Sequence, residues 1–168
     1  GLGLCLSDLV KRIFNETDTP RLRLSSLEPW DLDTDFFSLW QDSRLCRHLH
    51  LPLQSGSAAT LRRMARKTTP EAYAALLAIA RAAIPDVAVT TDMIAGFPGE
   101  SEAEFNESLA FVRSMNFSGG HVFTYSARPG TVTARMKGQV PHEVRKERNA
   151  ALRAVFAEAA QIYRKKFL

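Results

Sequence analysis

Cysteine is scarce. Only Cys5 and Cys46 occur, far apart and in no Cys-x-x-Cys spacing. This excludes a disulfide framework and a self-contained zinc or iron–sulfur motif, and it fits a reducing, cytoplasmic setting. Long apolar runs are missing too, so no segment reaches membrane-spanning length and no membrane association is expected. The opening Gly1-Leu2-Gly3-Leu4-Cys5 has neither an initiator Met nor a basic flank, which predicts no signal peptide and a chain cut from something longer. No internal repeat or low-complexity stretch is found. Gly96-Phe97-Pro98-Gly99-Glu100 lacks the Lys-Ser/Thr of a phosphate loop and the spacing of a dinucleotide fingerprint. No Ser–His–Asp order and no metal-binding helix motif stands out.

What is present is enough for one ordinary domain: 168 residues, 45% of them hydrophobic. The net charge of +4 is uneven. From 137 to 168 there are eight Lys/Arg and three Glu, a surplus of +5, and the remainder carries −1. That end suits either a polyanionic partner or a solvated helix face.

Periodicity divides the chain into alternating elements. Leu6, Leu9, Val10, Ile13 and Phe14 predict an amphipathic helix that ends before Pro20. Strands are expected at 21–27, 48–53, 87–95 and 121–126. Helices follow at Phe36–Trp40, after Gly56-Ser57, from the Thr69-Pro70-Glu71 start, from the Ser101-x-x-Glu104 capping box, and from Pro141 onward. Alternation of this kind calls for a parallel sheet with helical crossovers. Four strand–helix units are short of a complete eight-fold barrel, which takes about 250 residues. The expected fold is therefore α/β, a partial parallel β/α (TIM-like) barrel.

In such folds ligands sit at the carboxyl ends of the strands. These ends read Ser25-Ser26-Leu27-Glu28-Pro29, Pro52-Leu53-Gln54-Ser55-Gly56-Ser57, Asp92-Met93-Ile94-Ala95-Gly96-Phe97-Pro98-Gly99-Glu100 and Tyr125-Ser126-Ala127-Arg128-Pro129-Gly130-Thr131. Each joins Gly or Pro to polar groups, so that backbone and hydroxyls can approach a ligand. On the second strand His48, His50, Pro52 and Gln54 share one face by the period of two. Polar groups there need a partner, either in the barrel lumen or in a structural His–Gln pair. Glu100 suits the start of the helix that follows it.

Taken together with Arg23-Leu24 and His48-Leu49-His50-Leu51, these four segments resemble successive motifs of the radical S-adenosylmethionine (SAM) methylthiotransferases, from the first helix to about Met136. Ser-Ser-Leu-Glu-Pro and His-Leu-His before Leu-Pro-Leu-Gln look most like the branch that acts on threonylcarbamoyladenosine in tRNA. The resemblance implies a radical SAM barrel, SAM and 4Fe-4S clusters as cofactors, tRNA as partner, and addition of a methylthio group at adenine C2. It further implies that residues 1–168 are the later part of the radical SAM domain. The N-terminal cluster domain, the Cys-x-x-x-Cys-x-x-Cys loop and a C-terminal RNA-binding domain would lie outside them, leaving the piece inactive alone. By the same resemblance Gln54, Ser55, Gly96, Phe123 and Tyr125 would line the SAM pocket. Phe123 or Tyr125 would flank adenine, Gln54 and Ser55 would bond the ribose, and Gly96 would allow close approach. Ser26, Glu28 and Arg128 would face substrate or the methionyl carboxylate. No catalytic side chain is assigned. The alternatives are packing roles for Phe123 and Tyr125, a methylthiotransferase acting on a ribosomal protein, a non-enzymatic nucleic-acid-binding α/β domain, and an unrelated partial-barrel enzyme. A half barrel also leaves strand edges uncovered, so self-association is expected.

Overall fold

The computed structural model describes residues 5–168. Helix α1, Leu6–Glu16, buries Val10 and leads into an extended segment. Helix α2, Thr34–Phe37, starts at Asp33, whose Oδ1 accepts from the Phe36 N–H at 2.8 Å. A 3₁₀ turn over Ser38–Gln41 extends it. Strand β1, His48–His50, precedes the short helix α3, Ala58–Arg63. Helix α4, Pro70–Ala83, strand β2, Ala88–Ala95, helix α5, Glu102–Ser114, and strand β3, Gly119–Thr124, follow. Helix α6, His142–Lys165, is the longest at 24 residues.

The three strands form one parallel sheet in the order β1-β2-β3, with Leu49 opposite Val89 and Asp92 opposite His121. Among the described residues three strands are observed where four are expected. The segment 21–27 makes only a single bridge, Leu22 to Leu45, before Leu27 donates to the His50 carbonyl at 3.0 Å. Its pleat is interrupted by Ser26, whose φ of +56° is left-handed and incompatible with a continuing ladder. The second strand is shorter than 48–53 because Pro52 has no N–H to donate. The chain nevertheless stays beside β2 as far as Gln54, which bridges to Met93.

Alternation along β2 sorts the two faces. Val89, Thr91, Met93 and Ala95 are buried beneath helices, while Ala88, Thr90, Asp92 and Ile94 are half-buried on the other face. On the helix side Tyr73 of α4 donates to the Leu51 carbonyl at 2.7 Å. It packs with Phe117, which in turn meets Phe156 of α6. Gly120 is required here, because a Cβ would lie 2.5 Å from the Phe156 ring. The opposite face is open, and Phe123 is 55% exposed on it. The sheet is therefore one wall of a barrel, with helices outside and a polar inner surface. Among the described residues no helix is long and apolar enough to cross a membrane.

Candidate functional site at the strand ends

Two of the strand ends turn sharply. Gln54 has φ +73° and Gly96 φ +75°, so the backbone leaves the sheet at both places. The Gly96 N–H donates to Glu100 Oε1 at 3.1 Å. Glu100 is also bonded by Arg148 of α6, through Nη1 to its carboxylate at 2.7 Å and to its carbonyl at 2.9 Å. Burial raises the Glu100 carboxyl, and the charge and hydrogen bond of Arg148 lower it only in part. Glu100 thus does more than favour the start of α5: it ties the turn after β2 to α6.

The expected pocket residues divide into two groups. Gln54 is half-buried beside Met93, and Phe123 is exposed on the inner face. Tyr125 follows directly after β3, its N–H on the Ala95 carbonyl at 2.9 Å, and its ring meets Phe97 edge-on. It is 8% exposed, and its hydroxyl is buried without a hydrogen-bond partner. Ser55 points the other way. It is 1% exposed, and its hydroxyl is shared with Ser108 of α5 at 2.9 Å. Gly96 is approached closely, but by Arg145 of α6, whose side chain fills the space a Cβ would take and whose guanidinium donates to the Tyr125 carbonyl. Ser26 and Arg128 are exposed, and Glu28 pairs with Arg66 at 3.0 Å.

The inner face also carries a continuous polar chain. Arg23 Nε donates to His48 Nδ1 at 3.2 Å. A guanidinium only donates, so the neutral His48 ring carries its proton on Nε2 and donates to Thr90 Oγ1 at 3.1 Å. Burial, then the Arg23 charge, lowers the His48 pKa and favours that neutral ring. Thr90 Oγ1 lies 2.9 Å from His50 Nδ1, and His50 Nε2 lies 3.2 Å from Asp92 Oδ2. The other Asp92 oxygen meets His121 Nδ1 at 3.2 Å. His48 and His50 thus share the inner face, and their partners are Arg23, Thr90 and Asp92 rather than Gln54. Thr90, Asp92 and His121 were not singled out from the sequence. Their even spacing along two strands is visible there, but the register that aligns them with the histidines is not.

The basic C-terminal stretch is partly used internally. Arg145 and Arg148 are committed to the turns just described, while Lys146, Arg153, Arg164, Lys165 and Lys166 remain exposed. A cleft lies elsewhere, between α4, α5 and α6. It is lined by residues such as Asp86 and Phe117 that precede β2 and β3, so it is at the opposite end of the sheet from the expected ligand site.

A parallel sheet with helices outside and polar, glycine-bearing turns at its carboxyl edge fits many enzymes. The sequence match is decisive: a model of the radical SAM superfamily matches residues 4–112. The chain belongs to the radical SAM superfamily. Among its relatives, tRNA-2-methylthio-N(6)-dimethylallyladenosine synthase of Acetivibrio thermocellus is 41% identical over 88% of this chain and 31% of its own length. Its namesake in Geobacillus thermodenitrificans is 42% identical over 95% of this chain and 30% of its own. Threonylcarbamoyladenosine tRNA methylthiotransferase MtaB of Thermotoga maritima is 38% identical over 99% of this chain and 39% of its own. This radical SAM chain thus spans about a third of the length of the curated relatives it matches. Among solved structures, coproporphyrinogen III oxidase from Escherichia coli, described as a radical SAM enzyme, superposes with a TM-score of 0.72 at 18% identity. The match covers 92% of this chain and 36% of that one, and it supports the barrel fold.

Proposed function

We propose that this radical SAM chain is the barrel wall of a tRNA methylthiotransferase and that the carboxyl ends of its strands bind SAM. The single observation that carries the reading is the identity of 38–42% to enzymes of that name, extending over nearly the whole chain. The substrate common to those names is an N6-modified adenosine of tRNA, and the exposed basic residues of α6 suit a polyanion.

SAM would supply a radical precursor and a methyl group, and the protein's part is to hold it. Gln54 lies beside Met93, Phe123 is exposed on the inner face, Tyr125 presents a buried hydroxyl with no internal partner, and Gly96 forms the turn after β2. A buried, unsatisfied hydroxyl costs free energy unless a ligand completes it, so Tyr125 fits a polar ligand at this edge. Ser55 acts one layer back, through Ser108, and the exposed Ser26 and Arg128, with Glu28 in its pair with Arg66, would face the substrate. The fit to a 4Fe-4S cluster is poor: cluster ligation takes several thiolates, and the chain has only an exposed Cys5 and a half-buried Cys46. Two free thiols are in keeping with cytosolic residence, where tRNA is found.

The full-length protein tests the pocket. Tyr125→Phe removes only the unpartnered hydroxyl, and Gln54→Ala trims the side chain beside Met93. Each should weaken SAM binding in calorimetry while circular dichroism stays that of the parent. Parental affinity in both folded variants would overturn the site. The open inner face and the outer edge of β3 lead us to propose that the isolated chain self-associates, and light scattering showing a monomer at all concentrations would refute this.

A further inference from the structure

Asp92, His50 and His121 come from three adjacent strands and converge on the inner face. We propose that they bind a first-row divalent cation of the Zn²⁺ class, deeper in the barrel wall than the SAM edge. His50 Nε2 and His121 Nδ1 each lie 3.2 Å from an Asp92 oxygen, and one ligand atom from each residue falls within 4.8 Å of the others. Donors around a tetrahedral Zn²⁺ with bonds of about 2.0–2.1 Å are about 3.3 Å apart, and each imidazole is already at that spacing from its own Asp92 oxygen, Oδ2 for His50 and Oδ1 for His121. The remaining gap between the two rings closes by turning His121, whose side chain is 70% exposed and free to move. That exposure also leaves the remaining coordination positions open to water.

The donor set selects the ion. Two imidazoles and one carboxylate suit Zn²⁺, Co²⁺ or Ni²⁺ and disfavour Mg²⁺ and Ca²⁺, which prefer oxygen ligands. Second-sphere support is in place, since the far nitrogen of His50 lies 2.9 Å from Thr90 Oγ1, which fixes the ring plane.

Thr90 also lets the site exist in two satisfied states. Without a cation, the Thr90 hydroxyl donates to His50 Nδ1, and His50 donates from Nε2 to Asp92. With a cation on Nε2, the His50 proton sits on Nδ1 and donates to Thr90, whose own proton turns to the Leu49 carbonyl at 3.4 Å. His48 continues to donate to Thr90 in both. Neither state leaves a buried group unpaired, so the cation does not have to offset a broken hydrogen bond.

This site is separate from the SAM edge and does not rest on that reading. His50, Asp92 and His121 each lie four residues before Gln54, Gly96 and Tyr125 respectively. At about 3.3 Å per residue that is roughly 13 Å below those three positions, with Phe123, two residues beyond His121, at a level between them.

The test is calorimetric titration of Zn²⁺ into untagged chain carrying Cys5→Ser and Cys46→Ser, which removes thiol binding. One equivalent should bind, and Mg²⁺ should give no heat. His121→Ala and Asp92→Asn should each weaken Zn²⁺ binding by at least about tenfold, and Thr90→Val by about tenfold through the second sphere. His142→Ala, an exposed histidine at the start of α6, should change nothing. The same Co²⁺-loaded protein should show visible absorption that His121→Ala abolishes. Absence of Zn²⁺ binding would overturn the proposal. So would parental affinity in folded His121→Ala, or equal loss in His142→Ala.

Discussion

Replacing Arg148 by Ala tests the buried pair that holds the turn after β2. The Arg148 and Glu100 side chains are 10% and 2% exposed and 2.7 Å apart, and the guanidinium also lies 5.2 Å above the Phe105 ring. Truncation leaves the Glu100 carboxylate buried with the Gly96 N–H as its remaining donor. Breaking one side of such a pair costs about 3–5 kcal/mol, a large share of a domain's net stability. The effect has a pH signature. Burial already holds the Glu100 carboxyl above its ordinary range, and both influences of Arg148 oppose this, so the variant's carboxyl rises further. A carboxyl whose folded pKa is raised favours the fold below its unfolded value and loses that contribution as pH rises through the folded value. The loss should therefore be larger at a pH well above the ordinary carboxylate range than at one within it. Urea unfolding followed by circular dichroism at the two pH values measures both. Glu100→Leu combined with Arg148→Met should recover most of the stability, since a well-packed apolar pair removes both charges. A loss below about 1 kcal/mol, or one equal at both pH values, would refute the reasoning.

Two neighbouring glycines give a second check. Gly120→Ala places a Cβ against the Phe156 ring and should cost about 1–3 kcal/mol in urea unfolding. Gly119→Ala, whose Cβ meets nothing closer than Thr90 Cγ2 at 3.9 Å, should be neutral or mildly stabilising. Ser101→Ala removes the hydroxyl that accepts from the Glu104 N–H at 3.2 Å and should lower the thermal midpoint in line with about 1 kcal/mol, with Ser101→Asp restoring it.

Local signals carried the legible part of the fold. Thr69 caps α4 ahead of Pro70, and Ser101 and Glu104 form the reciprocal box of α5, because those interactions reach only three residues along the chain. The β-branched and apolar content of 87–95 marked β2 for the same reason. The interruption of 21–27 was not readable, because a left-handed serine such as Ser26 looks like any other serine in sequence. At the site, the parity of His48 and His50 was readable, whereas their partners Thr90, Asp92 and His121 depended on strand register. Arg145 and Arg148 looked like part of a solvated basic stretch. Only the packing of α6 against the sheet shows that they serve the turns at Gly96 and Tyr125.

That dependence on α6 has a consequence for synthesis on the ribosome. Glu100 meets Arg148 48 residues later, and the Asp86 carbonyl meets the Tyr163 hydroxyl 77 residues later. At about 5–20 residues per second, the turn after β2 waits roughly 2–10 s for its cation. During that interval β2 and α5 can form their local bonds, but the Glu100 carboxylate must stay hydrated, which holds the turn open. The radical SAM wall therefore closes late, from its last helix backward, and a nascent chain stalled before residue 148 exposes the very edge where the ligand is expected to bind.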